Sequence, residues 1–142
     1  MPPIRFVFIA VFSIVFAVVA RASDEATAPK KIVLLAGAKS HGPEGNGIHD
    51  YPWSVRLIKV MLEHSNVNER VRVEYHLNGW PADPATLEDA DSIVIISDGR
   101  DGENFSEAPH VASDERVAFM EKQMKRRCGL VTFHFSTFAP NK

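Results

Sequence analysis

A chain of 142 residues with 16 cations, 18 acids and a formal charge of −2 has room for one ordinary core. It carries no basic stripe, which excludes nucleic-acid binding through phosphate contacts. A single cysteine, Cys128, excludes an intrachain disulfide, so packing must supply the stability.

Residues 1–22 read as a secretory signal peptide. Arg5 precedes an apolar run from Phe6 to Ala20, and Ala20-Arg21-Ala22 offers an A-x-A cleavage pattern after Ala22. The run is short against the about 20 residues of a bilayer span. An exported protein, periplasmic or extracellular, is therefore expected, with membrane contact only through an uncleaved signal. Cleavage removes Arg5 and Arg21 and leaves the mature chain mildly acidic. Residues 23–29, SDEATAP, read as a flexible leader, and 30–142 as one domain.

KIVLLAG (31–37) is a continuous apolar run, the mark of a strand buried on both faces of a parallel sheet. DYPWSVRLIKVMLEHS (50–65) predicts a helix, with Pro52 in the first turn and Trp53, Leu57, Val60 and Met61 at helical spacing. RVRVEYHL (70–77) alternates like a strand, a loop with a short helix at 84–89 follows, and DSIVIIS (91–97) is a second buried strand. SDERVAFMEKQMKRRC (113–128) predicts a helix capped by Ser113, with Asp114 and Glu115 at its positive end and Val117, Met120 and Met124 as its buried stripe. Gly129 ends it, and LVTFHFSTF (130–138) is a fourth strand.

This alternation, with right-handed crossovers, predicts an α/β fold, a flavodoxin-like doubly wound parallel sheet of order 2-1-3-4. Such a sheet normally continues to a fifth strand, and LVTFHF is apolar on both faces, so the sheet is expected to be incomplete, as in a C-terminally truncated domain. A homo-oligomer is among the expected assemblies.

Ligands of open α/β sheets bind outside the carboxyl ends of the strands. The polar loops place Ser40, His41, His49 and Asp50 there after the first strand, and His76, Asn78 and Trp80 after the second. Asp98, Arg100, Asp101 and Glu103 follow the third strand, His134 ends the fourth, and His110 lies in a loop leading toward the same edge. Solvated loops also collect such residues for turns alone. His76 reads as a packing residue, Asp83 and Asp89 as turn or cap residues, and Trp80 equally as a packed anchor or a platform for a sugar ring. The loop glycines fit neither a P-loop nor a dinucleotide fingerprint, since Lys39 precedes Gly42, Gly45 and Gly47. Imidazole titrates near neutrality and ligates borderline metals, so His41 and His49 suit acid–base work or a divalent metal. Cys128 lies at the opposite edge and reads as structural, and no G-x-S-x-G elbow surrounds Ser136 or Thr137.

Three stretches, KIVLLAGAKSHGPEGNGIHDYP, RVEYHLNGWPADPATLEDADSIVIISDG and MKRRCGLVTFHFS, together resemble the ThuA-like domain, named for trehalose utilisation. That domain is a branch of the class I glutamine amidotransferase-like superfamily without the cysteine nucleophile. The resemblance runs from about residue 30 to the C-terminus. It implies carbohydrate metabolism, with keto-sugars or disaccharides as substrates, a divalent metal in some members, and a site lined by His41, His49, Asp50, Asp98 and His134. The expected roles are catalysis by His41, His134 and Asp50, and substrate binding by Ser40, His49, Trp80, Asp98 and Arg100. Histidine-assisted proton transfer on a sugar is the leading expectation, beside a non-catalytic carbohydrate-binding module and a metal-assisted glycoside hydrolase.

Overall fold

The computed structural model describes residues 28–43, 45–98, 113–134 and 136. The signal peptide, most of the leader, Arg100, Asp101, Glu103, His110 and Thr137 lie outside them. Four parallel strands form one sheet: β1 (Lys30–Ala36), β2 (Val71–His76), β3 (Ser92–Ser97) and β4 (Gly129–His134), in the order β2-β1-β3-β4. Helix α1 (Tyr51–Glu63) connects β1 to β2, and α2 (Asp114–Lys125) precedes β4. Residues 84–89 form only a 3₁₀ turn, Pro84–Leu87, capped by the Asp83 carboxylate on the Ala85 N–H. Among the described residues, no helix is long and apolar enough to cross a membrane.

The central strands β1 and β3 are buried on both faces, as continuous apolar runs demand. Their side chains split by alternation into two cores. Val33, Leu35, Ile93 and Ile95 pack with Met120, Phe119 and Met124 of α2, while Leu34, Ala36, Val94 and Ile96 pack with Tyr51, Val55, Ile58 and Leu62 of α1. Helices thus cover both faces, the doubly wound arrangement.

The two helix faces differ in part from the expected stripes, although Met120 and Met124 of α2 do pack into the core. Helix α1 buries Tyr51 and Val55, with Ile58 and Leu62 behind them, and turns Trp53, Leu57, Val60 and Met61 outward, Trp53 being 61% exposed. Both stripes have helical spacing, so periodicity alone could not choose between them. Tertiary packing does: Tyr51, Val55, Ile58 and Leu62 meet Leu34, Ala36, Val94 and Ile96 of the sheet, while the Asp50 carboxylate accepts the Trp53 backbone N–H (3.2 Å) and fixes the helix start. In α2 the buried positions are Met120 and Gln123, with Val117 left exposed. Ser113 caps that helix through the Arg116 N–H, as its sequence predicts. Strand β4 stays largely exposed, with Leu130, Val131 and Phe133 in the open.

Charged groups clamp the amino edge of the sheet. The Lys31 ammonium, shielded from water, reaches Asp89 (2.6 Å), Glu74 (3.1 Å) and the Thr86 carbonyl (2.8 Å). Burial alone would depress this ammonium, but its bonds to Asp89 and Glu74 outweigh burial and hold it above the ordinary lysine value. Asp89 is thus an ion-pair partner rather than the turn or cap residue its loop position suggests. Asp91 accepts the Lys31 N–H (2.8 Å) and the Lys30 ammonium (3.0 Å), and its own carbonyl accepts the Gly129 N–H, so one residue ties β1 to β4.

The Lys31 N–H, and then the Lys30 ammonium, hold Asp91 below the ordinary carboxylate value, and the Lys31 ammonium does the same for Asp89. A depressed carboxylate stabilises the fold fully above its unfolded value, about pH 4, and loses that contribution as pH falls through the lower folded value. Urea midpoints of the intact protein should therefore fall as pH drops below about 4. Asp91→Asn should be less stable by about 1 kcal/mol at neutral pH and show a shallower acid decline; an unchanged slope would contradict this account.

Candidate functional site

The loop between β1 and α1 carries the site, and a staple folds it. The Lys39 ammonium donates to the Asn46 side-chain oxygen (2.5 Å) and to the Ile48 carbonyl, and the Ile48 N–H donates to the same Asn46 oxygen (3.0 Å). Gly42 stands at φ +66°, where an added Cβ would lie 2.2 Å from the Asn46 amide, so the turn requires glycine there. Folded back in this way, the loop sets Ser40 and His41 beside His49.

These residues converge on Asp98, the residue directly after β3, whose side chain is 11% exposed. The Ser40 hydroxyl lies 2.5 Å from the Asp98 carboxylate, 2.8 Å from His41 Nδ1, 3.1 Å from His49 Nδ1 and 3.5 Å from the Tyr51 hydroxyl. His49 Nδ1 is also 3.3 Å from Asp98. The imidazoles form a chain of edge-to-face contacts, His41 to His49 at 4.2 Å between centroids and His49 to His134 at 4.6 Å, with Tyr51 5.7 Å from His134. His49 (φ +48°) and His134 (φ +59°) both occupy the left-handed region, uncommon for a side-chain-bearing residue and concentrated at functional sites.

The network assigns the protons. Ser40 has one O–H and the ionised carboxylate only accepts, so the shortest contact makes Ser40 the donor to Asp98. Nδ1 of His41 and of His49 then faces the lone pairs of that hydroxyl, and for His49 the Asp98 carboxylate too, so the tautomer with its proton on Nδ1 and Nε2 open suits both rings. Asp98 and Ser40 thereby fix the tautomer and tilt of two imidazoles, as a carboxylate does for a catalytic histidine. The same set fits a divalent metal. His41 Nδ1 and His49 Nδ1 lie 3.7 and 3.3 Å from the Asp98 oxygen, close to the ligand spacing of about 3.4 Å in tetrahedral zinc geometry. One ligand atom from each residue lies within 4.8 Å of the others. Ser40 Oγ stands between them, so an ion held there would replace the proton network and turn the hydroxyl aside.

Of the expected site residues, Ser40, His41, His49, Asp98 and His134 come together. Asp50 does not join them; its carboxylate caps α1. Trp80 lies on the α2 face of the sheet, its ring 5.7 Å from Phe119 at 89° with the Arg116 guanidinium 5.3 Å from its centroid, a packed anchor. Arg100 is outside the described residues. His76 bonds Thr86 (3.3 Å), the packing role its strand position suggests. Buried Cys128 precedes β4 at the other edge, and burial pushes its thiol up. Ser136 is buried and donates to the Ile95 carbonyl (3.2 Å), which makes it structural. Tyr51 is a site residue that loop chemistry does not single out; its only signal was its place directly after His49 and Asp50. The chain matches no family model, no curated protein and no solved structure.

Trp80→Ala should lower stability by about 3 kcal/mol in denaturant titrations while leaving the imidazole 15N resonances of His41, His49 and His134 in place. Movement of those resonances would connect the anchor to the cluster.

Proposed function

We propose that this chain is an exported, ThuA-like protein of carbohydrate metabolism that moves a proton on a keto-sugar. The observation that carries the reading is the convergence of His41 and His49 on one shielded carboxylate at the carboxyl edge of the sheet, with the His134 ring edge-to-face on His49. A C–H bond beside a carbonyl is acidic because the electron pair left behind moves onto the carbonyl oxygen. His41, presenting Nε2, takes that proton, and His134 donates to the oxygen, giving an enediol. Return of a proton to the neighbouring carbon gives the isomer, and return to the other face of the original carbon gives the epimer. Ser40 and Asp98 act as positioning residues through the imidazoles, and His49 links His41 to His134.

A second reading rests on the ligand spacing: His41, His49 and Asp98 as a divalent-metal centre. When bound, the metal would polarise a sugar oxygen or acidify a water. Metal analysis after dialysis decides between the readings, stoichiometric metal lost in His49→Ala favouring the second.

Incubation of the full chain with 3-keto-trehalose in deuterated water tests the first. Deuterium should enter the carbon beside the carbonyl, and His134→Ala should slow its entry by about 100-fold or more, whereas Asp50→Asn should keep most of the rate. No uptake by the intact protein, or full uptake by His134→Ala, sinks the proton-transfer reading.

A further inference from the structure

A second concavity lies beside the same loop and shares no residue with the histidine cluster. It has a volume of about 630 Å³ and is lined by Lys39 from the loop, Asp50, Trp53 and Arg56 from the start of α1, and Leu77 and Asn78 from the end of β2, with two loop glycines. That volume suits a small molecule. We infer that this cleft binds an anionic sugar, its ring stacked on Trp53 and its carboxylate or phosphate held by Lys39 and Arg56.

Three observations carry this. Trp53 is 61% exposed although it is among the largest apolar side chains of the chain, and an indole face beside hydrogen-bonding groups is the usual platform for a pyranose ring. Both cations of the cleft lack an acidic partner among the described residues. Among the described residues Lys39 bonds only the neutral oxygens of Asn46 and Ile48, which leaves one N–H for a ligand, and Arg56 makes no ion pair with any of them. Among the described residues Arg70, Arg126 and Arg127 also lack a carboxylate, but Lys39 and Arg56 differ from them in facing one cleft beside an exposed indole, and two such cations in one concavity suit an anion. The one carboxylate lining the cleft, Asp50, is engaged by the Trp53 N–H through one oxygen, and its other oxygen suits a sugar hydroxyl.

The inference goes beyond proton transfer and concerns equilibrium binding, so it stands or falls without turnover. Calorimetric titration of the full chain with methyl glucuronide, glucose 6-phosphate, methyl glucoside and inorganic phosphate tests it. At least one anionic sugar should bind about tenfold or more tighter than the neutral glucoside, a factor worth about 1.4 kcal/mol, and the tighter of the two identifies the anion as carboxylate or phosphate. Arg56→Gln should remove that advantage, Arg56→Lys should restore part of it, and Trp53→Ala should weaken every sugar. Arg56 and Trp53 are exposed, so circular dichroism should show these variants folded. Equal affinity for neutral and anionic sugars, inorganic phosphate binding as tightly as glucose 6-phosphate, an unchanged Arg56→Gln, or no binding up to about 10 mM would each overturn it.

Discussion

Asp98 is the constraint on which the site depends. Its position directly after β3 places a carboxylate where only 11% of the side chain meets water. A charge so shielded is costly unless it is hydrogen-bonded, and β3 itself supplies only Ser97, whose hydroxyl is buried and makes no hydrogen bond. Partners come from the loop after β1 instead: Ser40 at 2.5 Å and His49 at 3.3 Å. Closing that loop on Asp98 also orients the imidazoles, because one hydroxyl with a single proton dictates which nitrogens of His41 and His49 can donate. Satisfying one carboxylate therefore prepares two bases.

The two edges of the sheet use charge in opposite ways. At the amino edge Lys31, Asp89, Glu74 and Asp91 pair with one another and with backbone groups, an arrangement with little left to exchange with a ligand. At the carboxyl edge imidazoles meet one shielded carboxylate, His41 stands 46% open to solvent, and the backbone is left-handed at His49 and His134. The first arrangement resists unfolding; the second keeps reactive nitrogens within reach of a solute. Parallel strands make this division natural, since every crossover returns the chain to the amino edge and leaves the carboxyl ends for loops.

Much of this was legible in the sequence. Continuous apolar runs identify β1 and β3, alternation identifies β2, and the capping signals of Ser113 and Pro52 place both helices to within a few residues. The sheet order follows from the βα alternation and agrees with the observed β2-β1-β3-β4. What eluded the sequence was orientation. Helix α1 is apolar on two sides, so packing against β1 and β3, and not periodicity, decided its buried stripe. Trp80 could have faced a ligand or a helix, and the Phe119 ring two elements away decided it. Asp50, adjacent to His49, caps the helix N-terminus through the Trp53 backbone N–H instead of joining the cluster. Tyr51 reaches the site because its ring packs into the core on the α1 face, which leaves its hydroxyl 3.5 Å from Ser40. Local pattern thus gives elements and edges, whereas contacts between residues far apart in sequence choose which side chains meet.

The loop that carries part of the histidine cluster also lines the Trp53 cleft, and Lys39, which lines the cleft, braces the loop for the cluster as well. Its ammonium holds Asn46 and Ile48, the staple that brings Ser40 and His41 back toward His49, and it is also one of the two cations lining the cleft. An ammonium has three protons, and two are committed to the staple. An anion content with the third leaves the loop closed and adds charge balance to it, which favours the geometry that places Ser40 on Asp98. An anion that takes more must draw Lys39 away from Asn46 and loosen the same geometry. Coupling of this kind is reciprocal, so whatever tightens the histidine cluster also settles Lys39 for the cleft. The sign of that coupling rests on how many of three N–H bonds a ligand demands, a choice set by the staple and not by either pocket alone.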